Sequence, residues 1–341
     1  MSKKSKERLY NLDWLRFFAS VIIVIHHFQQ ITGAEYLAIF GSFGWVTELF
    51  FIVSGFLAAD NYDKKKTFKE YIIPKYAKFI PMCWLTMTVF AGIVFSYYAY
   101  TGEWIDNQKY DLATVITSYL FCNQGWLIDF SVGLNNPIWY IDVLILCYIL
   151  IFVINKYARS TLARLIIYIL IVVAVYLAVF VFSFRTYFFW WSTQRGLIGF
   201  FLGAVFQKIY KIEKNALYYL GIPFLLVFIY SLINGKALYA ISFICLMSFI
   251  VILALVVKQI HANEIVSVLA YEAYLWHCPV FLLIVAFDKL FNIGINYSIL
   301  FMIISIIVIE LFSYLMYICY EIPVAKKVKK LSDRLTGNSA E

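Results

Sequence analysis

The first apolar segment of the chain reads LDWLRFFASVIIVIHH from Leu12 to His27, and it carries Arg16 and His27 among its apolar residues. Eleven steps of roughly 100° bring a helix back to within about 20° of its starting direction, so both side chains share one face, roughly 16 Å apart along the axis. Ionisable groups on a membrane helix face the protein interior or a wet cavity, because exposing them to lipid is costly. The segment therefore predicts a membrane helix with a functional polar stripe.

Apolar residues dominate the rest of the chain as well. Of its 341 residues, 63% are hydrophobic, 20% are aromatic and only 14% are charged. This composition excludes an ordinary soluble domain. Apolar runs recur at roughly the 20 residues needed to cross about 30 Å of hydrocarbon, so we predict an all-α, polytopic membrane helical bundle of about ten transmembrane helices. The predicted spans cover about 12–31, 43–59, 79–100, 138–155, 163–183, 194–210, 216–233, 238–258, 265–290 and 297–321.

The basic residues cluster in alternate loops of this predicted topology. They precede the first span, lie between the second and third, follow the fourth and sixth, and close the chain. The positive-inside rule places these segments and both termini on the cytoplasmic side of the cell membrane. We leave 112–127 uncounted as a candidate re-entrant or interfacial segment, since an eleventh span there would invert the second half of the topology. Residues 1–323 form one predicted transmembrane domain and 324–341 a basic cytoplasmic tail.

Charge and cysteine content narrow the choice of partners. The net charge of +8 is accounted for by the topology and by anionic membrane lipid, so no nucleic-acid partner is predicted. The six cysteines show neither paired nor metal-ligand spacing. We therefore predict that they pack in the core and that the chain has no metal site.

The second predicted span offers His27 a partner. Glu48 lies about 8 Å below the outer boundary of that span, nearly at the depth of His27. A carboxylate beside an imidazole fixes its tautomer and raises its basicity, which suits removal of a proton from a hydroxyl. The alternative is a buried polar pair that only locks two helices together. Gly55, seven residues further on the same stripe, predicts a close approach of two helices.

Several motifs resemble those of the integral-membrane acyltransferase family 3, and together they cover nearly the whole chain. In chain order they are Leu12-Asp13 to Leu15-Arg16 with His27, ELFFIVSGF from Glu48, KYAKFIP from Lys75, PIWYI from Pro137, YEAYLWHCP from Tyr271 and EIP from Glu321. The resemblance implies transfer of an acyl group, commonly acetyl from cytoplasmic acetyl-CoA as co-substrate, to a hydroxyl of a surface polysaccharide or lipid-linked sugar. It implies no tightly bound cofactor.

The resemblance also implies roles for individual residues. Arg16 and His27 match the essential arginine and histidine of the family, and Glu48 occupies its acidic position, usually aspartate. Lys75 and Lys78 replace arginines, so they keep the charge that binds phosphate but lose the bidentate fork. We expect Arg16 and both lysines to hold the phosphates of coenzyme A, and His27, supported by Glu48, to act as the base near the outer face. Direct transfer and a transient acyl-histidine are both compatible with the sequence.

Five further residues are supporting candidates. Asp13 is expected to pair with the arginine three positions on. Arg195 is expected either to bind a sugar or oxyanion or to snorkel at the interface. His277 is expected to be either an acyl-channel residue or a hydrogen-bonded core histidine, and Tyr274, on the same span, is a substrate-binding or supporting candidate. Glu321 is expected to cap or orient the inner end of the last helix.

A different class of function remains as an alternative, a polysaccharide exporter or flippase without acyl transfer. Many spans and an aromatic lining are its support. No inverted repeat or pair of broken helices is visible in the sequence to indicate alternating access.

Overall fold

The structure, a computed structural model, describes residues 8–60, 66–106, 108–123, 133–184, 191–235 and 240–337, with the side chain of Phe40 left out. These residues form α-helices and no strands. The helices are Tyr10–Thr32 (α1), Thr47–Asp60 (α2), Phe68–Thr101 (α3), Leu112–Tyr119 (α4), Trp139–Tyr157 (α5), Thr161–Tyr176 (α6), Trp191–Ile212 (α7), Ala216–Ile233 (α8), Ala240–Val256 (α9), Glu264–Phe291 (α10), Ile299–Met316 (α11) and Ile322–Leu335 (α12). A 3₁₀ segment, Glu35–Val46, leads into α2.

The predicted all-α membrane bundle is confirmed, and each predicted span overlaps one of these helices. Within the described part of the chain, 7 helical stretches are long and apolar enough to cross a membrane. They are Glu35–Asp60, Phe68–Thr101, Asn136–Tyr157, Thr161–Val181, Ala216–Ile233, Glu264–Phe291 and Ile299–Leu335. Helices α1 and α7 carry more polar residues, and α9 is shorter, with 17 residues. The count of ten and the side of the termini stay predictions.

Helix α3 begins eleven residues before the predicted third span, at Phe68. Its start is fixed by a capping box: the Thr67 side chain accepts from the Glu70 backbone N–H, and the Glu70 carboxylate accepts from the Thr67 N–H at 2.6 Å. Such a reciprocal pair satisfies two backbone donors that a helix start leaves free. The predicted span followed hydropathy alone and so left out the first turns of this helix, on which Lys75 and Lys78 lie.

Two segments left outside the predicted spans are also helical. Helix α4 has 8 residues, a rise of about 12 Å, which is too short to cross a membrane; residues 124–127 of the 112–127 candidate lie outside the described part. Most of the predicted basic tail belongs to α12, which packs against α3. Its apolar residues recur at helical spacing between the lysines, which makes one face apolar.

Two tightly packed helix pairs build the centre of the bundle, α1 with α10 and α2 with α7. A Cβ added at Gly55 would lie 1.8 Å from the Phe200 carbonyl oxygen, and one at Gly203 would lie 1.8 Å from the Ile52 carbonyl oxygen. No side chain fits at either place, so the predicted close approach at Gly55 is confirmed, with α7 as the partner.

Candidate active site

The close α2–α7 contact brings a buried carboxylate to a buried guanidinium. Glu48 accepts from Arg195 Nε at 2.5 Å through Oε1 and from Nη2 at 2.9 Å through Oε2. Arg195 Nη2 also donates to the Gly44 carbonyl at 2.7 Å. The two side chains are 0% and 11% exposed. Paired, bidentate contacts of this kind let opposite charges stay buried in an apolar bundle.

This pair corrects the predicted partner of Glu48. In the described part of the structure the hydrogen bonds of the Glu48 carboxylate go to Arg195, and none joins it to His27. A similar depth along the membrane does not fix the direction in which a helix face points. The stripe shared by Glu48 and Gly55 faces α7, because that is where the missing side chains of both helices allow close contact.

Aromatic rings surround the Arg195 guanidinium. Its carbon lies 4.6 Å from the centre of the Trp45 ring, 4.9 Å from Trp139 and 5.6 Å from Trp191. Each contact is within the range of a cation–π interaction. Arg195 is therefore held in place from several sides. Its guanidinium is buried inside the bundle and does not extend along the surface, as a snorkelling arginine would.

Arg195 and His27 line the same cavity, of about 210 Å³, which we call the histidine cavity. His26 also lines it and fits closely against Gly44, where an added Cβ would lie 3.0 Å from His26 Nε2. The remaining lining residues are Ile23, Gln30, Gly44, Thr47, Asn136, Trp139, Trp191, Ser192 and Tyr274. The cavity thus joins a base, a guanidinium, hydroxyl and amide groups, and two flat aromatic rings.

His27 is 8% exposed and lies beside His277, with the two ring centres 5.0 Å apart. His277 is fully buried, and its Nδ1 lies 3.0 Å from the Ala273 carbonyl oxygen. Of the two expectations for His277, the hydrogen-bonded core histidine fits this environment. Helix α1 therefore meets α10 through an imidazole pair at the depth of the histidine cavity.

A second cavity, of about 310 Å³, lies toward the other end of α1, and we call it the basic cavity. Arg16 and Lys78 line it, together with Glu272, Tyr274 and Glu321. Residues Ser54 and Tyr140, whose hydroxyl oxygens lie 2.8 Å apart, also belong to its wall. Arg16 and Lys78 are thus brought together as the sequence predicted. They share the cavity with two carboxyl groups.

Glu272 is a residue that the sequence analysis missed. It is 0% exposed, its carboxyl group interacts with that of Glu321, and neither of its oxygens has a hydrogen-bond donor within the described residues. Its place within the YEAYLWHCP motif, on a helix of apolar residues, was the available signal. Glu321 lies where α11 passes into α12, and its side chain makes no capping hydrogen bond there. It lines the basic cavity instead.

The other cationic candidates lie close to the basic cavity. Lys75 does not line it; its Nζ lies 3.9 Å from the centre of the Tyr148 ring, which does. The predicted ion pair of Asp13 with Arg16 is present at 4.0 Å, and Asp13 also pairs with Arg8 at 3.0 Å. Asp13 therefore holds both guanidinium groups near the start of α1.

Tyr274 belongs to the walls of both cavities. Its hydroxyl donates to the Pro137 carbonyl at 2.7 Å, which fixes the ring between α10 and the start of α5. The basic cavity and the histidine cavity therefore lie on either side of one anchored side chain. This arrangement suits a long substrate that is held by its charged end in one cavity and reacts in the other.

Fold and site together define a multi-pass membrane protein with cations at one end of its bundle and a buried histidine beyond them. A family model described as an acyltransferase domain matches residues 9–318. The chain therefore belongs to acyltransferase family 3 and is a membrane acyltransferase. Comparisons with curated proteins and with solved structures gave no match.

Proposed function

We propose that the protein is an O-acyltransferase that moves an acetyl group from cytoplasmic acetyl-CoA to a hydroxyl of a cell-surface polysaccharide or lipid-linked sugar. The observation that carries this proposal is the pair of cavities along α1, with Arg16 and Lys78 in one and His27 in the other. The uninterrupted helix separates Arg16 from His27 by roughly 16 Å. With the basic end in the cytoplasm, the donor and the acceptor approach from opposite sides of the membrane.

The donor is held through its phosphates. Arg16 and Lys78 bind them in the basic cavity, and Lys75 adds positive charge from behind Tyr148. The carboxyl groups of Glu272 and Glu321 line the same cavity, and Asp13 is the residue that pairs with the Arg16 guanidinium. The pantetheine arm then passes Tyr274 and carries the thioester into the histidine cavity.

Transfer occurs beside His27. Its imidazole takes the proton of the acceptor hydroxyl, the hydroxyl oxygen attacks the thioester carbon, and an oxyanion forms on the former carbonyl oxygen. Arg195 has N–H groups beyond those used by Glu48 and Gly44, and these donate to the oxyanion. Collapse breaks the carbon–sulfur bond, and the thiolate of coenzyme A takes up the proton from His27. The products are the acyl ester and free coenzyme A.

Glu48 acts in this scheme through Arg195. It neutralises the guanidinium and fixes its plane, so that the unused N–H groups point in one direction. The Trp139 and Trp191 rings and the Asn136 amide offer apolar faces and hydrogen bonds, the combination that sugars bind.

The test is the ester content of the surface glycan, measured by NMR on cells that carry wild type, His27→Ala or His261→Ala at equal protein level. We expect His27→Ala to remove the acyl-ester signals while the amount of glycan stays the same. His261→Ala, at an exposed histidine outside both cavities, is the matched control and keeps most of the ester. Unchanged ester in His27→Ala would refute His27 as the base, and loss of the glycan itself would favour the exporter.

A further inference from the structure

Three potential metal ligands converge where α1 meets α10. They are His27, His277 and Cys278, and one ligand atom from each lies within 4.8 Å of the others. All three side chains are buried, at 8%, 0% and 2% exposure. Sequence spacing could not reveal this cluster, because His27 is separated from the adjacent pair by most of the chain.

The hydrogen bonding of His277 leaves one nitrogen ready to bind a cation. Its Nδ1 lies 3.0 Å from the Ala273 carbonyl, which can only accept, so Nδ1 carries the proton and Nε2 keeps its lone pair. Nε2 is buried and has no hydrogen-bond partner within the described residues. A histidine that donates one ring nitrogen to a backbone carbonyl and keeps the other free is oriented as metal-binding histidines are.

The ligand set selects the kind of metal. Two imidazole nitrogens and one thiol suit a borderline-soft transition metal such as Zn²⁺ and disfavour Mg²⁺ or Ca²⁺. Bonds of about 2.0–2.3 Å place the ligand atoms of a tetrahedral zinc ion roughly 3.3–3.8 Å apart, so side-chain movements of about 1 Å close the site. The fourth position stays open.

A third cavity, of about 540 Å³, reaches this cluster. His27 and Cys278 line its inner part, and Asp106, Gln108 and Lys289 line it on the side of the loop after α3. Asp106 and Lys289 bring opposite charges to this lining, so it carries no excess of positive charge against an entering cation.

We propose that His27, His277 and Cys278 form a Zn²⁺ site reached through this third cavity. Binding deprotonates Cys278, whose proton leaves to solvent, and places the thiolate sulfur and two imidazole nitrogens on the ion. Bound zinc occupies the lone pair with which His27 removes the acceptor's proton, so the metal inhibits acyl transfer. This second consequence rests on the proposed function, whereas the binding site itself does not.

The binding test uses the full-length protein, purified in detergent and reduced, with Co²⁺ as a spectroscopic probe and Zn²⁺ as competitor. We expect one ion per chain, a thiolate-to-cobalt charge-transfer band in the wild type, and its loss in Cys278→Ser and Cys278→Ala. Cys245→Ser, at another buried cysteine, is the matched control and keeps the band. His277→Ala is expected to weaken Zn²⁺ binding at least tenfold, because losing a ligand costs no less than losing an outer-shell partner of a ligand.

Thermal unfolding without metal shows which variants are folded. A band that persists in folded Cys278→Ser, a band lost in Cys245→Ser, or no stoichiometric binding to the wild type would each overturn the site.

The inhibition test compares acyl transfer at increasing Zn²⁺, each variant being scaled to its own metal-free rate. We expect half-inhibition of Cys278→Ala to need at least tenfold more Zn²⁺ than the wild type. Equal sensitivity of the two proteins would overturn inhibition through this site. If zinc binds as described but saturating metal leaves transfer unchanged, the site stands and His27 is not the base.

Discussion

Arg16 and His27 belong to one uninterrupted helix, α1, yet each borders a different cavity. Tyr274, from α10, stands in the wall of both cavities. The eleven residue steps from Arg16 to His27 thus span the distance between the proposed phosphate-binding end and the proposed reacting end.

The Glu48–Arg195 pair is expected to be a major contributor to stability. Removing one partner strands the other charge in the bundle, so Glu48→Gln and Arg195→Gln should each lower the free energy of unfolding by about 3–5 kcal/mol. Because both variants disrupt the same contact, the double variant should cost clearly less than their sum. Chemical or thermal unfolding in detergent measures all three. Additive losses would show that the two residues act independently.

Arg195→Lys separates charge from geometry at the reacting centre. The ammonium group keeps the positive charge but cannot make the bidentate contact with Glu48 while also donating to an oxyanion. We expect kcat to fall by about 10²-fold or more, as for loss of an oxyanion donor, with KM for acetyl-CoA nearly unchanged. Release of free thiol from acetyl-CoA by membranes that contain the acceptor gives both constants. An equal fall in affinity for the donor would place Arg195 in donor binding.

Lys78→Met should weaken the binding of acetyl-CoA. A charge-assisted contact to phosphate contributes about 1.5–3 kcal/mol, so KM should rise roughly tenfold or more while kcat changes little. Lys69→Met is the matched control, since Lys69 is an exposed lysine of the same helix outside the basic cavity. Isothermal titration with free coenzyme A checks the same difference without turnover. Similar effects of the two substitutions would indicate a general loss of positive charge.

Gly203→Ala tests the close contact of α2 with α7. The added Cβ would meet the Ile52 carbonyl oxygen, and the forced separation should destabilise the protein by about 1–3 kcal/mol. Gly92, in α3, has open space where a Cβ would lie, so Gly92→Ala should be neutral or stabilising by up to about 1 kcal/mol. Thermal unfolding in detergent compares them directly. A harmless Gly203→Ala would mean that the helices separate easily there.

Much of the fold was accessible from the sequence, because membrane spans require long apolar runs and every predicted run is helical. The start of α3 was missed although Thr67 and Glu70 carry the signal for it. Hydropathy falls near that start, where lysines and glutamate occupy the first turns, so hydropathy alone places the start too late. The helical nature of α12 was missed for the same reason.

In the candidate site, too, some residues could be identified from the sequence, whereas their contacts could not. Arg16, His27, Glu48 and Arg195 stood out because they are ionisable residues within apolar runs. Exposing such groups to lipid is costly, so they must face the protein interior or a wet cavity. The partner of Glu48 and the buried carboxyl of Glu272 were not accessible. Helical spacing relates residues along one helix, but the rotation of each helix about its axis is set by packing against its neighbours.

The sequence by itself therefore determined the class of protein, the apolar helices and the set of charged residues that must be protected from lipid. The tertiary structure alone decided that Glu48 binds Arg195, that Tyr274 separates two cavities, and that Cys278 joins His27 and His277. The physical reason is that the cost of burying a charge depends on the residue, whereas the partner that offsets this cost depends on which helix faces meet.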